Sequence, residues 1–383
     1  MKNTGTLLSI LISAALAFPL HVEGDEGKDA PAVEFTASLT GDMARSIAGG
    51  LKQGTAWLGM ASLNATLNTG QTGLWKNGTV TVTGAHTLGS MPSSELFGDA
   101  QVSSNIEAGN HTFLMELWIR QQFGRVVITA GLQDLNAIFA LSESGGLYLN
   151  SSFGIMPVIS CNIPAPIFPL TSPGLTVVLE TGRAGSVALA LFDGRPIPFD
   201  SNPYNIRWKF DREDGLLAIM EYSHKIVING LEGEYKIGLF SHNHLFDSFR
   251  KNESPTDEHS PTLGGYIIAD QPLMHRNNRQ VALFMQAGYS PSVDSFMDLS
   301  AGLGINVSGL IRGREDDMAG VAVTAGRFSG NAGAETTIEV TYRLHFGDYA
   351  YLQPDLQYII FPSGSLSGIP HCIAGFMRLG VSF

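Results

Sequence analysis

Residues 338–383 alternate in polarity with a period of two, and that period restricts this part of the chain to β structure. Ile338, Val340, Tyr342, Leu344 and Phe346 share one parity, and Glu339, Thr341, Arg343 and His345 the other. Leu352, Pro354, Leu356, Tyr358 and Ile360 then alternate with Gln353, Asp355 and Gln357. In the last run Ile373, Met377, Leu379, Val381 and Phe383 alternate with Arg378, Gly380 and Ser382. Successive side chains of a strand point to opposite faces, so each run has one apolar and one polar face. A soluble sandwich would bury the apolar face. A membrane barrel would turn it to lipid and line an aqueous lumen with the polar one.

The setting of these runs favours the barrel. Met1–Gly24 reads as a signal peptide, with Lys2 before an apolar core at Leu7–Leu20 and cleavage after Ala17 or Gly24. No later stretch suits a spanning helix. The most apolar one, Ile155–Leu170, carries Pro157, Pro164, Pro166 and Pro169, which break a helix. An exported membrane protein without spanning helices is a closed barrel, because lipid offers no partner to a free strand edge. Composition agrees, since 15% of residues are charged against roughly 25% in soluble domains. The net charge of −12 argues against a nucleic-acid partner. Cys161 and Cys372 would be free to bridge after export, but two thiols make no framework and unpaired thiols are the preferred reading.

The pattern divides the chain into the leader (1–24), a periplasmic or mouth segment (25–54, with Asp42–Leu51 as a short helix) and a barrel (55–383). The fold class is all-β, a transmembrane antiparallel barrel with inward-folded loops. Strands are expected at 55–67, 76–86, 111–123, 124–132, 174–182, 184–192, 204–213 and 215–226. Eight more follow at 233–242, 263–271, 279–289, 297–311, 317–328, 335–346, 350–361 and 371–383, about sixteen in all. An even count suits bacterial single-chain barrels, and sixteen strands enclose a channel rather than a packed interior. In 113–123 the apolar parity is Phe113, Met115, Leu117 and Ile119, opposite Glu116, Trp118, Arg120 and Gln122. Long loops should lie outside and short turns in the periplasm. Counted back from Phe383, this holds as far as the 243–262 loop and then fails. The links at 182–184 and 212–215 are short where outer loops are required, and 133–173 is long where a turn is required.

An ordered series of motifs runs across residues 45–383. It includes Gly98-Asp99-Ala100-Gln101, Ser104-Asn105-Ile106-Glu107, Glu116 with Trp118, and Gly131 to Asn136 with Phe139. It continues with Asn150 to Gly154, Tyr266 with Asp270-Gln271, Gly309 to Arg314 with Asp317, and Leu352 to Ile359 with Pro362. In this the chain resembles the carbohydrate-selective outer-membrane porin family (OprB-type). The resemblance implies a sixteen-strand barrel passing sugars by facilitated diffusion. It also implies that the strand ending at Phe383 serves as an insertion signal for the barrel-assembly machinery. The partners so implied are a sugar, the outer-membrane bilayer and that machinery; no cofactor is implied.

Sugar recognition needs flat apolar surface for the ring and planar groups for paired hydroxyls. Glu116, Trp118 and Arg120 place a carboxylate, an indole and a guanidinium on one strand face. Gln353, Asp355 and Gln357 form a second polar row, and Glu339 with Arg343 a third. Mixed signs favour a neutral polyhydroxylated solute over an ion; plain lumen lining is the alternative for each row, and it is the weaker for Glu116, Trp118 and Arg120 taken together. The 133–173 segment, with Asp134, Asn136, Asn150, Phe139, Phe153 and Phe168, is the candidate constriction; a lid on the rim is its alternative. Other classes remain open: a general or apolar-solute porin, a barrel enzyme, or a secreted sandwich. No Gly-x-Ser-x-Gly elbow occurs. His242 and His244 have no third ligand nearby in sequence, and Glu315-Asp316-Asp317 reads as a charged turn. Glu116 and Asp355 could pair as a glycosidase dyad only if the fold brought them together.

Overall fold

The computed structural model describes residues 31–182, 184–210, 214–243, 261–276, 278–292 and 295–383. The expected signal peptide (1–24) and His244 lie outside these residues. The first strands are β1 (Val33–Ala48), β2 (Gly54–Asn68), β3 (Gly78–Gly89), β4 (His111–Phe123) and β5 (Val126–Gln133). They are followed by β6 (Ser172–Glu180), β7 (Gly185–Asp193), β8 (Leu216–Ile228), β9 (Leu231–His242) and β10 (Thr262–Arg276). The last are β11 (Arg279–Tyr289), β12 (Met297–Ser308), β13 (Met318–Phe328), β14 (Ala334–Phe346), β15 (Ala350–Ile360) and β16 (Cys372–Ser382). Each pairs antiparallel with its sequence neighbours, and β1 pairs with β16, so the sheet is a closed barrel.

The expected number of strands is correct, but two assignments offset one another. Residues 33–48, expected as a mouth segment with a short helix, form β1. Its Thr40, Asp42, Ala44 and Ser46 turn inward and are buried, while Leu39 and Ile47 face out. Conversely, the described part of 204–213 is not a strand: 204–210 belongs to the loop between β7 and β8, and 211–213 lie outside the described residues. Tyr204, Ile206, Trp208 and Phe210 are exposed there. The reason is local. β4 pairs with β5 only from Leu117 onward, which leaves its first residues an open edge. The loop fills it: Leu114 donates to the Tyr204 carbonyl at 3.0 Å, and Asn205 Nδ2 donates to the Leu114 carbonyl at 3.2 Å.

Removing that strand and adding β1 also resolves the sidedness conflict. The links 124–125, 181–184, 229–230, 277–278 and 347–349 now fall at the end that carries Phe383. The strand ends that flank 90–110, 134–171, 194–215 and 243–261 lie at the other. The first end is therefore periplasmic and the second external.

Outward side chains are apolar along the wall, as with Phe35 at 75%, Leu63 at 68% and Leu239 at 55% exposure. That is the surface a bilayer requires. Aromatic residues mark the ends: Tyr349 and Phe383 stack at 6.5 Å on the periplasmic side, and Trp57 and Tyr289 are exposed near the external one. One face assignment needs correction. Register shifts between β3 and β4 at Thr83/Gly84, and Met115 is the extra residue. This β-bulge turns Phe113 and Met115 into the lumen, so they do not share a face with the exposed Leu117 and Ile119.

The seam carries a buried ion pair. Asp42 and Arg378 are direct partners across β1 and β16. Arg378 Nε and Nη2 donate to the two Asp42 carboxylate oxygens at 2.7 and 2.8 Å, and Ser104 Oγ adds a bond of 2.7 Å. Removing one partner strands a buried charge, at a cost of about 3–5 kcal/mol. Asp42→Ala should therefore lower the temperature at which the folded band is lost in a heat-modifiability gel, whereas Arg45→Ala, on the exposed face of the same strand, should not.

Candidate functional site: the loop-filled lumen

Two external loops fold back into the barrel. An amide group inside a lumen must find a partner, and here the wall supplies many of them. Glu335 accepts from the backbone N–H groups of Ala100 (2.8 Å), Gln101 (2.9 Å) and Ser363 (2.7 Å). Four residues on, with the same parity, Glu339 accepts from Leu149 (2.6 Å) and Asn150 (3.1 Å). Gln353 Nε2 donates to the Leu147 carbonyl at 2.8 Å, and Gln357 Nε2 to that of Ser103 at 2.9 Å. Arg343 donates to Gln353 at 2.8 Å and to the Leu147 carbonyl at 3.3 Å. On the far wall, Glu221 accepts from Ala140 N–H at 2.9 Å. The 134–171 loop thus reaches from β5 and β6 across to β14 and β15. The 90–110 loop lies beside it, joined by Asn105 N–H to Leu149 O (2.8 Å) and Ser151 N–H to Val102 O (2.9 Å).

The loops bring their own apolar packing. Phe139, Phe153, Met156, Val158 and Ile159 are fully buried within the barrel. Tyr148 packs on Phe153 at 4.8 Å and on Phe284 of β11 at 5.6 Å, and its hydroxyl donates to Asn306 at 2.8 Å. The expectation of 133–173 as an inward segment matches this placement, and the rim-lid alternative does not. Loop carboxyls sit in poor solvent. Burial, then the charge of Glu116, pushes Asp134 up to about 7; burial, then Asp99, pushes Glu107 up to about 8.

The expected site residues divide into three groups. Glu339, Arg343, Gln353, Asp355 and Gln357 do point inward, but all are buried, and four of them are spent on loop backbone. Those four anchor the loop that covers them, and Arg343 also borders a cavity beneath it. Asp134 caps a helical turn by accepting from Asn136 N–H at 2.8 Å, and also accepts from Phe168 N–H at 3.2 Å. Asn136 Nδ2 donates to the Phe139 and Gly154 carbonyls, both at 3.1 Å. Both residues shape the loop.

The row on β4 differs. Glu116 is buried, yet Trp118 and Arg120 stay partly open to the lumen. Trp118 Nε1 donates to Glu116 at 3.3 Å, and the Arg120 guanidinium lies 4.7 Å over the indole. Beside them Asn64, Thr66, Thr81 and Thr83 form a ladder, with Asn64 donating to Thr83 at 2.8 Å. Sequence reasoning missed Glu335, Asp42 and Arg378. Glu335 shares the parity of Glu339, and that signal was available; the other two needed β1.

A closed antiparallel barrel with an apolar exterior and a lumen narrowed by its own loops defines an outer-membrane porin. A family model described as "Carbohydrate-selective porin, OprB family" matches residues 52–383. Among solved structures, Pseudomonas putida OprB at high pH is similar with a TM-score of 0.81 at 18% identity, covering 92% of this chain and 94% of that one. Its low-pH structure gives 0.60 at 18%, covering 92% and 93%. A loop-deletion mutant of OmpT, an outer membrane protein of Vibrio cholerae, gives 0.55 at 8%, covering 92% and 99%. At such identities the structures speak for the fold alone. A comparison with curated proteins found no match. The chain belongs to the OprB family of carbohydrate-selective porins and is an integral β-barrel of the outer membrane.

If the wall acids hold the constriction, the double variant Glu335→Ala, Glu339→Ala removes five bonds from backbone N–H groups. Each buried N–H left without its acceptor costs about 1–3 kcal/mol. Single-channel conductance should rise, and liposome-swelling assays should admit larger oligosaccharides, while the heat-modifiable barrel persists.

Proposed function

We propose that sugar passes along the wall of β2 to β5, with Trp118 as the platform for the ring face, Arg120 as the polar partner of its hydroxyls, and the buried Glu116 holding the indole from behind. The observation that carries this reading is the accessibility of Trp118 and Arg120 while the other expected rows are covered by loop. A stacked guanidinium holds the indole in one orientation, so the platform is set before sugar arrives. Of the adjacent ladder Asn64, Thr81 and Thr83 are buried, and Thr66 is the member that stays partly open on the same face. Binding is weak by design, since a solute must leave as readily as it enters.

The reading contains no catalytic step. Glu116 on β4 and Asp355 on β15 are separated by β3, β2, β1 and β16. Five inter-strand steps of about 4.8 Å put them on different parts of the wall, whereas a glycosidase dyad needs about 5–9.5 Å. The β16 strand ending beside Phe383 is the segment offered to the barrel-assembly machinery; Phe383 itself exchanges backbone bonds with Ala37 at 3.0 and 2.8 Å.

Trp118→Ala should raise the sugar concentration needed to occlude single-channel current about tenfold, the loss expected for one aromatic contact of roughly 1.5 kcal/mol. Open-channel conductance should not fall. Unchanged occlusion by mono- and disaccharides would place the sugar elsewhere.

A further inference from the structure

Beneath the inward loop, at the periplasmic end, lies a second cavity of about 250 Å³. Glu143 and Leu147 of the 134–171 loop roof it, Lys225 and Glu234 enter from β8 and β9, and Asp270, Asn306 and Arg343 complete it from β10, β12 and β14. It is separate from the Trp118 track and is bounded by strands on the other side of the barrel. Its volume lies at or below the roughly 300 Å³ where drug-sized sites begin, so it suits a single small ring.

The charges inside do not cancel locally. Lys225 pairs with Glu232 at 3.2 Å, and Lys236 with Glu234 at 3.1 Å. Glu143 and Asp270 form no salt bridge among the described residues. Asp270 is 7% exposed, and its Oδ1 accepts from Ser142 Oγ at 2.8 Å and Ser144 N–H at 3.0 Å. Its Oδ2 is buried with no partner among the described residues. A buried carboxylate oxygen left unpaired is costly, and an ammonium donor satisfies both its charge and its lone pairs. Burial, then the nearby Asp270 and Glu234 charges, raises the Glu143 carboxyl above its usual range against the opposing pull of Lys236 and Lys225, and a bound cation relieves the repulsion that is left. Across the cavity, Arg343 is held by neutral acceptors, Gln353 and the Leu147 carbonyl, and Asn306 donates to the Ser144 carbonyl at 2.7 Å while accepting from Tyr148. The Asn306 amide and the Arg343 guanidinium carry further N–H groups beyond these bonds, of the kind that a sugar hydroxyl accepts from.

The geometry points to a binding site for amine-bearing sugars at the periplasmic exit. It takes the ammonium at Asp270 and Glu143 and the ring hydroxyls at Asn306 and Arg343. This rests on the reading that the lumen passes sugars, and it adds a preference within that class: cationic over neutral.

The test is current occlusion in planar bilayers with glucosamine and glucose added on the periplasmic side. The wild-type channel should be occluded by glucosamine at about one-tenth the glucose concentration, as one charge-assisted contact provides. Asp270→Asn keeps an acceptor for Ser142 and Ser144, and Glu143→Gln alters only the loop. Each should erase most of the glucosamine preference and leave glucose occlusion unchanged. Equal potency of the two sugars on the wild-type channel overturns the proposal, as does a full preference in Glu143→Gln, which does not depend on Asp270→Asn folding. Trp118→Ala separates the two readings, because it should weaken glucose occlusion while glucosamine stays favoured.

Discussion

A polypeptide that enters the lumen of its own barrel carries backbone N–H and C=O groups away from bulk water, and each requires a partner. In this porin the partners are carboxylates and amides on the inner wall, and the constriction depends on them. Glu335 and Glu339 each receive at least two loop N–H groups. Gln353 and Gln357 return donors to loop carbonyls. A carboxyl group offers two oxygens to neighbouring N–H groups where an amide offers one. Around these polar anchors, Phe139, Phe153 and Met156 supply the apolar burial that a soluble protein keeps in its core. The barrel is inside out at its surface and conventional in its interior.

This division of labour explains why polar rows on strands mislead. A Gln-x-Asp-x-Gln pattern facing inward is what a water-filled pore would show, and equally what a loop-filled one requires. Sequence gives the parity of Gln353, Asp355 and Gln357 and not what stands in front of them. Accessibility distinguishes the rows. Trp118 and Arg120 sit where no loop residue covers them fully, and an indole clamped by a guanidinium suits a ring that must be met and released.

Most of the wall was legible because lipid demands apolar side chains at every second position, and β14 to β16 keep that rule almost without exception. β1 was not legible. Its outward face includes Arg45 and Gly41 and its inward face Ala44, so Met43, Ala44, Ile47 and Ala48 imitate helical spacing. The segment 204–210 failed in the opposite sense: Tyr204, Ile206, Trp208 and Phe210 alternate faithfully on a loop that closes an open edge of β4. The bulge at Met115 shifts parity by one residue and left no sign in composition. For the candidate site, residue types were readable. Their roles were not, since Glu339 anchors a loop and Trp118 does not only because of chain that arrives from elsewhere in the fold.

The anchors stand far along the chain from what they hold. Glu335 follows Ala100 by 235 residues, and Glu339 follows Leu149 by 190. The loops are made early and these moorings late. Moorings on β8, β10 and β11, which are Glu221 to Ala140, Asp270 to Ser144 and Gln286 to Ser152, already hold part of the loop before the last strands are added. Residues 100–101 and 149–150 gain their wall acceptors only with β14, so the aperture is completed on that side by the C-terminal wall.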